Sequence, residues 1–221
     1  AEQLDNLYIF KNTEGTPENI RKFHPNIIVS STGSAPLLPP IAGLKDRIDN
    51  ENHNIYSILG MISHINDFPK DLEGKKVVVV GGGAVGLDVV EFFADRNADI
   101  SIVEMMDQIG RDLDPVSKND TKTMMKKHNV HQLTKTALLE VKDSSFLVRG
   151  DGEPYELPFE YGFVCLGMRA QGQLYQNLTE EFSSEDVEIM NIGDSQRARR
   201  IIDGTQEGRN ILTILEQKGY L

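Results

Sequence analysis

Lys76-Val-Val-Val-Val-Gly-Gly-Gly-Ala-Val-Gly-Leu-Asp88, followed by Asp99-Ile-Ser-Ile-Val-Glu104, decides how this chain is read. An apolar run ends in glycines at 81, 83 and 86, and an acid stands 23 residues beyond the first of them. This is the pattern of a strand, a glycine-rich turn and a helix that together cradle a dinucleotide. Gly81 permits the tight turn, Gly83 lets backbone approach a pyrophosphate, and Gly86 lets helix pack close on strand. Each demand is steric, because a Cβ there would occupy space that ligand or helix needs. The helix opening near Ala84, with Gly82 and Val85 beside it, points unpaired N–H groups and the positive end of its dipole at phosphates. A glycine turn in an ordinary βαβ unit is the plainer alternative. The strand before, the helix after and the acid closing the second strand are three separate marks against it.

Glu104 stands where a carboxylate accepts hydrogen bonds from the adenosine ribose hydroxyls. A 2′-phosphate would meet it as a like charge, so this acid predicts NAD(H) over NADP(H). Met105 and Met106 follow in place of the usual cationic clamp. Arg111 has two readings: a loop residue paired with Asp107 or Asp112, or a cation that reaches the nucleotide.

The rest of the composition excludes more than it selects. At 221 residues the chain can bury a proper core in one large or two smaller domains. A net charge of −11 argues against nucleic acid as a partner, since such a partner needs a basic face. Cys165 is the single cysteine, so there is no internal disulfide, redox dithiol or cysteine set for an iron–sulfur cluster. Its place in the apolar run Tyr161–Gly167 predicts a packed, inert thiol. The histidines show no ligand spacing, and no metal site is expected. No run approaches the length of a membrane span and the start lacks signal-peptide character, so a cytoplasmic location is expected. The absence of an initiating methionine reads as a piece of a longer polypeptide.

Along the chain, Leu7–Phe10 reads as a strand and Thr16–Phe23 as a short helix capped by Thr16. Asn26–Ser31 is a buried strand leading into the Gly/Pro-rich stretch Thr32–Gly43, a boundary or crossover. Residues 44–74 hold a polar loop and a helix around Ile55–Ile65. From Lys75 the pattern is regular, with strand 76–80, helix 84–96, strand 99–104, a helix from Asp114-Pro115 to about His128 and strand Val130–Thr134. Such alternation predicts a parallel sheet with right-handed crossovers. Ala137–Lys142, Ser145–Arg149 and Glu153–Pro158 fit a small antiparallel meander, and Glu160–Leu166 is a further buried strand. Asp186–Ile192 leads into Gly193-Asp194, and a long amphipathic helix runs from Arg200 to Lys218.

With these residues in view, the chain resembles the two-dinucleotide-fold flavoproteins. More narrowly it is similar to the C-terminal part of the NADH:flavin oxidoreductases related to 2,4-dienoyl-CoA reductase, enoate reductases and trimethylamine dehydrogenase. The likeness rests on Pro25–Ser34, the glycine fingerprint, Glu104–Arg111, Cys165–Arg169, Asn191–Asp194 and Arg200–Asp203, with Gln108–Pro115 pointing to the narrower group. It implies an α/β fold in which a Rossmann-like NAD-binding domain, a parallel sheet plus antiparallel meander, is inserted into a truncated FAD-type fold. On that plan residues 1–45 and 168–221 are the partial FAD-type domain, 46–74 a connecting segment and 75–167 the NAD-binding domain. The resemblance also implies that Thr32, Gly33 and Gly167 lie at crossover turns near the cofactors. It places Gly193 and Asp194 in the flavin site, Asp194 accepting from a ribityl hydroxyl and nearby amides facing pyrophosphate. A plain helix cap is the alternative for Asp194.

The chain departs from the family in several ways. The first glycine fingerprint, which holds the ADP half of FAD, is absent from residues 1–70. Absent too are the family's N-terminal barrel with FMN and the substrate pocket, and its cysteines for an iron–sulfur centre. Asp88 replaces the usual glutamate, and nothing in the sequence explains Ser30-Ser31 before Thr32-Gly33. The implied function is to accept NADH and pass its hydride to FAD for delivery to a separate substrate domain. No catalytic residue is named, because stacked nicotinamide and flavin rings exchange hydride directly. A non-catalytic NADH-binding module or redox sensor, and a relative of NADH oxidase or ferredoxin reductase, are the alternatives. With the upstream fingerprint missing, the chain is expected to be colourless.

Overall fold

The computed structural model describes residues 4–220. In chain order, α1 (Pro17–Arg21), β1 (Ile27–Ser30) and β2 (Ser34–Pro36) precede α2 (Leu44–Arg47), β3 (Ile55–Tyr56) and α3 (Ile58–Ser63). Then come β4 (Lys76–Val80), α4 (Ala84–Ala94), β5 (Asp99–Val103), α5 (Pro115–Lys127) and β6 (His131–Leu133). They lead to β7 (Ala137–Val141), β8 (Ser145–Arg149), β9 (Tyr155–Pro158), β10 (Tyr161–Val164) and β11 (Met168–Ala170). The chain closes with α6 (Gln173–Glu181), β12 (Glu188–Asn191), a 3-10 turn at Gly193–Ser195 and α7 (Ile201–Gln217).

Two compact units result: unit 2 spans Pro36–Met168, and unit 1 comprises the residues before and after it. The boundary runs through β2 and β11, which pair with each other.

Unit 2 is built on a parallel sheet of order β3-β10-β4-β5-β6. A parallel strand is buried on both faces, which explains why β4 is a bare run of valines. Val77 and Val79 look to one side, joining Ile100, Ile102, Phe163 and the α4 residues Val89, Val90 and Phe93. Val78 and Val80 look to the other, joining Val103, Val164 and the meander residues Val141, Phe146 and Val148. The meander is β7-β8-β9, antiparallel throughout. α5 starts where Asp114 accepts from the amides of Val116 and Ser117, with Pro115 preset for a first turn. The α/β architecture with a parallel sheet and an antiparallel meander is as expected.

In unit 1, β1 and β12 pair in parallel, Ile28 opposite Ile189. Ile28, Leu178 and Phe182 form its buried core with Ile20, Leu174, Val187 and Ile189 against them. Thr16 caps α1 by accepting from Asn19 N, as its sequence predicted.

Several local expectations are corrected. Leu7–Phe10 forms no strand: it pairs with none of the described strands, and its side chains are exposed. The expected helix around Ile55–Ile65 is split: Ile55 and Tyr56 pair with β10, and only Ile58–Ser63 is helical, started by Ser57 accepting from Gly60 N. Residues 46–74, read as a connection, thereby add an edge strand to the sheet of unit 2. α2 and α6 had no counterpart in the sequence reading.

Candidate functional site

The turn out of β4 behaves as three separate steric devices. Gly81 has φ +110°, and a Cβ there would lie 2.1 Å from the Cys165 carbonyl oxygen. A Cβ on Gly86 would lie 1.9 Å from the Gly81 carbonyl oxygen, so the first turn of α4 sits directly on the loop. At Gly83 a Cβ would meet nothing within 4 Å. The side of the loop that a ligand would approach is open, while the sides facing the protein are closed.

The amides of this turn divide in the same way. Gly81 N donates to Val103 O at 2.8 Å and Gly82 N to Glu104 Oε2 at 2.6 Å. The amides of Ala84, Val85 and Gly86 open α4 and have no intrahelical acceptor. Gly83, the N-cap, brings no capping side chain, and its own N–H has no acceptor among the described residues. The donors left for an anion are therefore those of Gly83 to Gly86, and Gly82 N–H is not one of them.

Glu104 is half-buried just beyond β5. Its second carboxylate oxygen accepts from Met106 N at 2.7 Å. Glu104 N donates to Leu133 O at 2.8 Å, and Thr136 N donates to Glu104 O at 2.9 Å. The acid is thus fixed by backbone on both sides, with lone pairs remaining for further donors.

Gly81, Gly82, Gly83, Ala84, Val85, Glu104, Met105, Arg111 and Gly167 line one cavity of about 710 Å³. All lie in unit 2. Pro39, Ile41, Met106, Thr136, Ala137 and Leu138 complete its apolar wall and were not foreseen. The parallel bridge between Ala42 and Glu140 explains how segments so far apart meet there. Gly86 stands behind the cavity as a packing residue. Arg111, on the loop before α5, has no ion-pair or hydrogen-bond partner among the described residues, Asp107 and Asp112 included. Gly110 N donates to Gly82 O at 2.7 Å, tying the loop that carries Arg111 to the glycine turn.

Two titratable groups adjoin the turn. Burial, and secondarily Glu91, holds the Asp88 carboxyl above the usual range. The Cys165 thiol is pushed up to about 12, by burial first and by the Asp88 charge second. It is a protonated, buried group, as its sequence setting predicted.

Thr32, Gly33, Gly193 and Asp194 belong to unit 1. Ser34 Oγ donates to Asp194 Oδ2 at 3.1 Å, which joins the Thr32–Gly33 turn to the Gly193–Asp194 turn. Thr32 Oγ1 donates to Gln171 O at 2.6 Å. Arg199 N donates to Asp194 Oδ1 at 3.0 Å. Gly193 N, expected beside a pyrophosphate, instead donates to Glu207 Oε2 at 2.6 Å, and Arg199 grips the other Glu207 oxygen at 2.5 Å. The Gly193 amide and then the Arg199 guanidinium hold the Glu207 carboxyl below the usual range. No group of three or more metal-ligating side chains occurs among the described residues, and none of their helices is long and apolar enough to cross a membrane.

A parallel sheet whose β4–α4–β5 crossover carries a glycine loop, with an acid closing β5, defines a dinucleotide-binding α/β protein. The chain belongs to the pyridine nucleotide-disulphide oxidoreductase family, whose model matches residues 8–190. That family implies binding of FAD and of a nicotinamide nucleotide. The chain is 26% identical to an NADH oxidase of Thermoanaerobacter brockii, over 86% of this chain and 28% of that protein. It is also 26% identical to a metal reductase of Desulforamulus reducens, over 90% of this chain and 32% of that one. Among solved structures it is similar in fold to 2-naphthoyl-CoA reductase, with TM-score 0.73 at 22% identity, covering 89% of this chain and 28% of that chain. Histamine dehydrogenase from Rhizobium sp. 4-9 gives TM-score 0.73 at 15% identity, covering 95% and 34%. The chain spans about a third or less of the length of these relatives.

Proposed function

We propose that this chain is the nicotinamide-dinucleotide-binding part of a larger flavin-dependent oxidoreductase of the enoate- and dienoyl-CoA-reductase type. Unit 2 takes NADH, whose hydride goes to FAD and on to a substrate domain outside this chain. The carrying observation is the single cavity that gathers the glycine loop, Glu104, Met105, Arg111 and Gly167. The amides of Gly83 to Gly86 and the α4 dipole receive the diphosphate, and Arg111 adds a cation that has no competing partner among the described residues. Glu104 accepts from the adenosine ribose, and its negative charge disfavours a 2′-phosphate. Bound NADH supplies a hydride that a stacked flavin accepts directly, so these residues only bind and orient.

In unit 1 the proposed flavin contacts are Asp194, Gly193 and the Thr32–Gly33 turn. The fit there is partial at one donor: Gly193 N is held by Glu207, while Asp194, accepting from Arg199 N and Ser34 Oγ, keeps lone pairs as Glu104 does. This closure supports a second reading, in which the chain alone is an NADH-docking lobe that retains no flavin. The FMN and iron–sulfur centre implied by the resemblance belong, on this proposal, to other parts of the parent enzyme.

Calorimetric titration of NADH, NADPH and FAD into the purified chain tests both readings. Tighter binding of NADH than NADPH, by a colourless protein, is expected. Tighter binding of NADPH would sink the role given to Glu104. A yellow preparation that reduces a dye with NADH would discard the docking-lobe reading.

A further inference from the structure

The geometry points to Glu104 as the residue that sets the glycine loop in its phosphate-receiving shape, a positioning role additional to any contact with a coenzyme. The inference rests on the cavity being a dinucleotide site. Gly82 is held at both of its polar atoms: its N–H donates to Glu104 Oε2 at 2.6 Å and its C=O accepts from Gly110 N at 2.7 Å. A peptide unit is planar and trans, so each bond fixes one plane, Gly81–Gly82 by the first and Gly82–Gly83 by the second. In the second plane N–H and C=O point in opposite directions, and anchoring Gly82 O therefore aims Gly83 N–H. Three consecutive glycines have the widest backbone freedom available to a chain. Without outside bonds their amides would not converge on one anion.

Gly110 supplies the second of these restraints, and Glu104 is equipped to supply the first, which holds the Gly81–Gly82 plane from which the rest of the loop leads. The acid's other oxygen is braced by Met106 N at 2.7 Å, and its backbone is tied through Leu133 O and Thr136 N. The carboxylate is thus a fixed acceptor to which the loop is fastened. A carboxylate only accepts, whereas a glutamine keeps one acceptor and presents an NH₂ where an amide N–H needs a lone pair. A residue serving the ribose alone would gain nothing from reaching back to the loop.

The test uses NADH and an analogue lacking both hydroxyls of the adenosine ribose, titrated into the wild-type chain and Glu104→Gln. Amide hydrogen exchange at Gly82 is followed without ligand. Positioning predicts that Glu104→Gln weakens the analogue about tenfold, the effect of one charge-assisted bond. It also predicts faster exchange of the Gly82 amide before any ligand is added. If Glu104→Gln fails to fold, Glu104→Asp, which keeps the charge but shortens the reach, is expected to show the same two changes. Unchanged affinity for the analogue, with a loss confined to NADH, would overturn the positioning role and leave Glu104 a ribose ligand. A wild-type chain that binds neither compound would instead overturn the dinucleotide reading itself.

Discussion

The glycine turn of unit 2 and the Gly193 turn of unit 1 present similar backbone donors, but among the described residues Gly83 N–H has no acceptor while Gly193 N–H is taken by Glu207. After β4 the amides of Gly83 to Gly86 have no acceptor among the described residues, while Gly82 N is held by an acid at the cavity's edge. At Gly193 the amide is spent on Glu207, and both oxygens of Asp194 accept from neighbours. One turn keeps its Gly83 amide open, and the other spends its Gly193 amide on a carboxylate. A dinucleotide site therefore needs donors whose in-chain partners are sterically withheld, and a glycine-rich motif does not ensure this.

Substitutions should separate the two turns. The largest effect is expected for Gly86→Val, whose Cβ would lie 1.9 Å from the Gly81 carbonyl oxygen. Destabilisation of unit 2 by about 3 kcal/mol or more should appear in denaturant unfolding. Gly83→Val comes next and differs in kind: with nothing within 4 Å of its Cβ, the fold should survive while NADH binding disappears from the calorimeter. A Gly83→Val chain that still binds NADH would erase the contrast between the turns.

On the other side, Gly193→Ala meets open space but carries φ +66°. Strain of about 1–2 kcal/mol is expected in unit 1, with the affinity of unit 2 for NADH unchanged. The smallest effect concerns pH. Glu207 is held below its ordinary value of 4.5, so it stabilises unit 1 above that value and the contribution is lost as pH falls through its depressed one. Thermal unfolding of the wild type should therefore lose stability on acidification below that point, and Glu207→Gln should lose less. Identical acid profiles for the two would show that the Gly193 turn is not closed by this carboxylate.

The sequence was most legible where one physical demand filled a whole element. β4 is buried on both faces and reads as valines, and the turn from it into α4 must make close backbone approaches and reads as glycines. Asp114-Pro115 announced α5 through capping chemistry alone. Legibility failed where partners came from afar. Leu7–Phe10 has the composition of a strand but pairs with none among the described residues, and Ile55–Tyr56 is a strand because β10 lies beside it. α6 escaped because Gln173–Glu181 is mostly polar, with only Leu178 fully buried. In the cavity, the glycines and Glu104 were found by spacing. Pro39 and Ile41 were hidden in a stretch read as a crossover, and Thr136 and Leu138 at the start of the meander. No local pattern links those two stretches.

That last arrangement has a thermodynamic corollary. Walls contributed by residues around 40 and around 137 exist together only once the bridge of Ala42 to Glu140 has formed. A coenzyme seated there would bind the native ensemble and ignore partly opened chains. At a hundred times its dissociation constant it would add about 2.7 kcal/mol to the work of unfolding unit 2. Cleavage by proteases that attack opened molecules would accordingly slow as coenzyme concentration rises, coupling the protein's lifetime to the supply of its ligand.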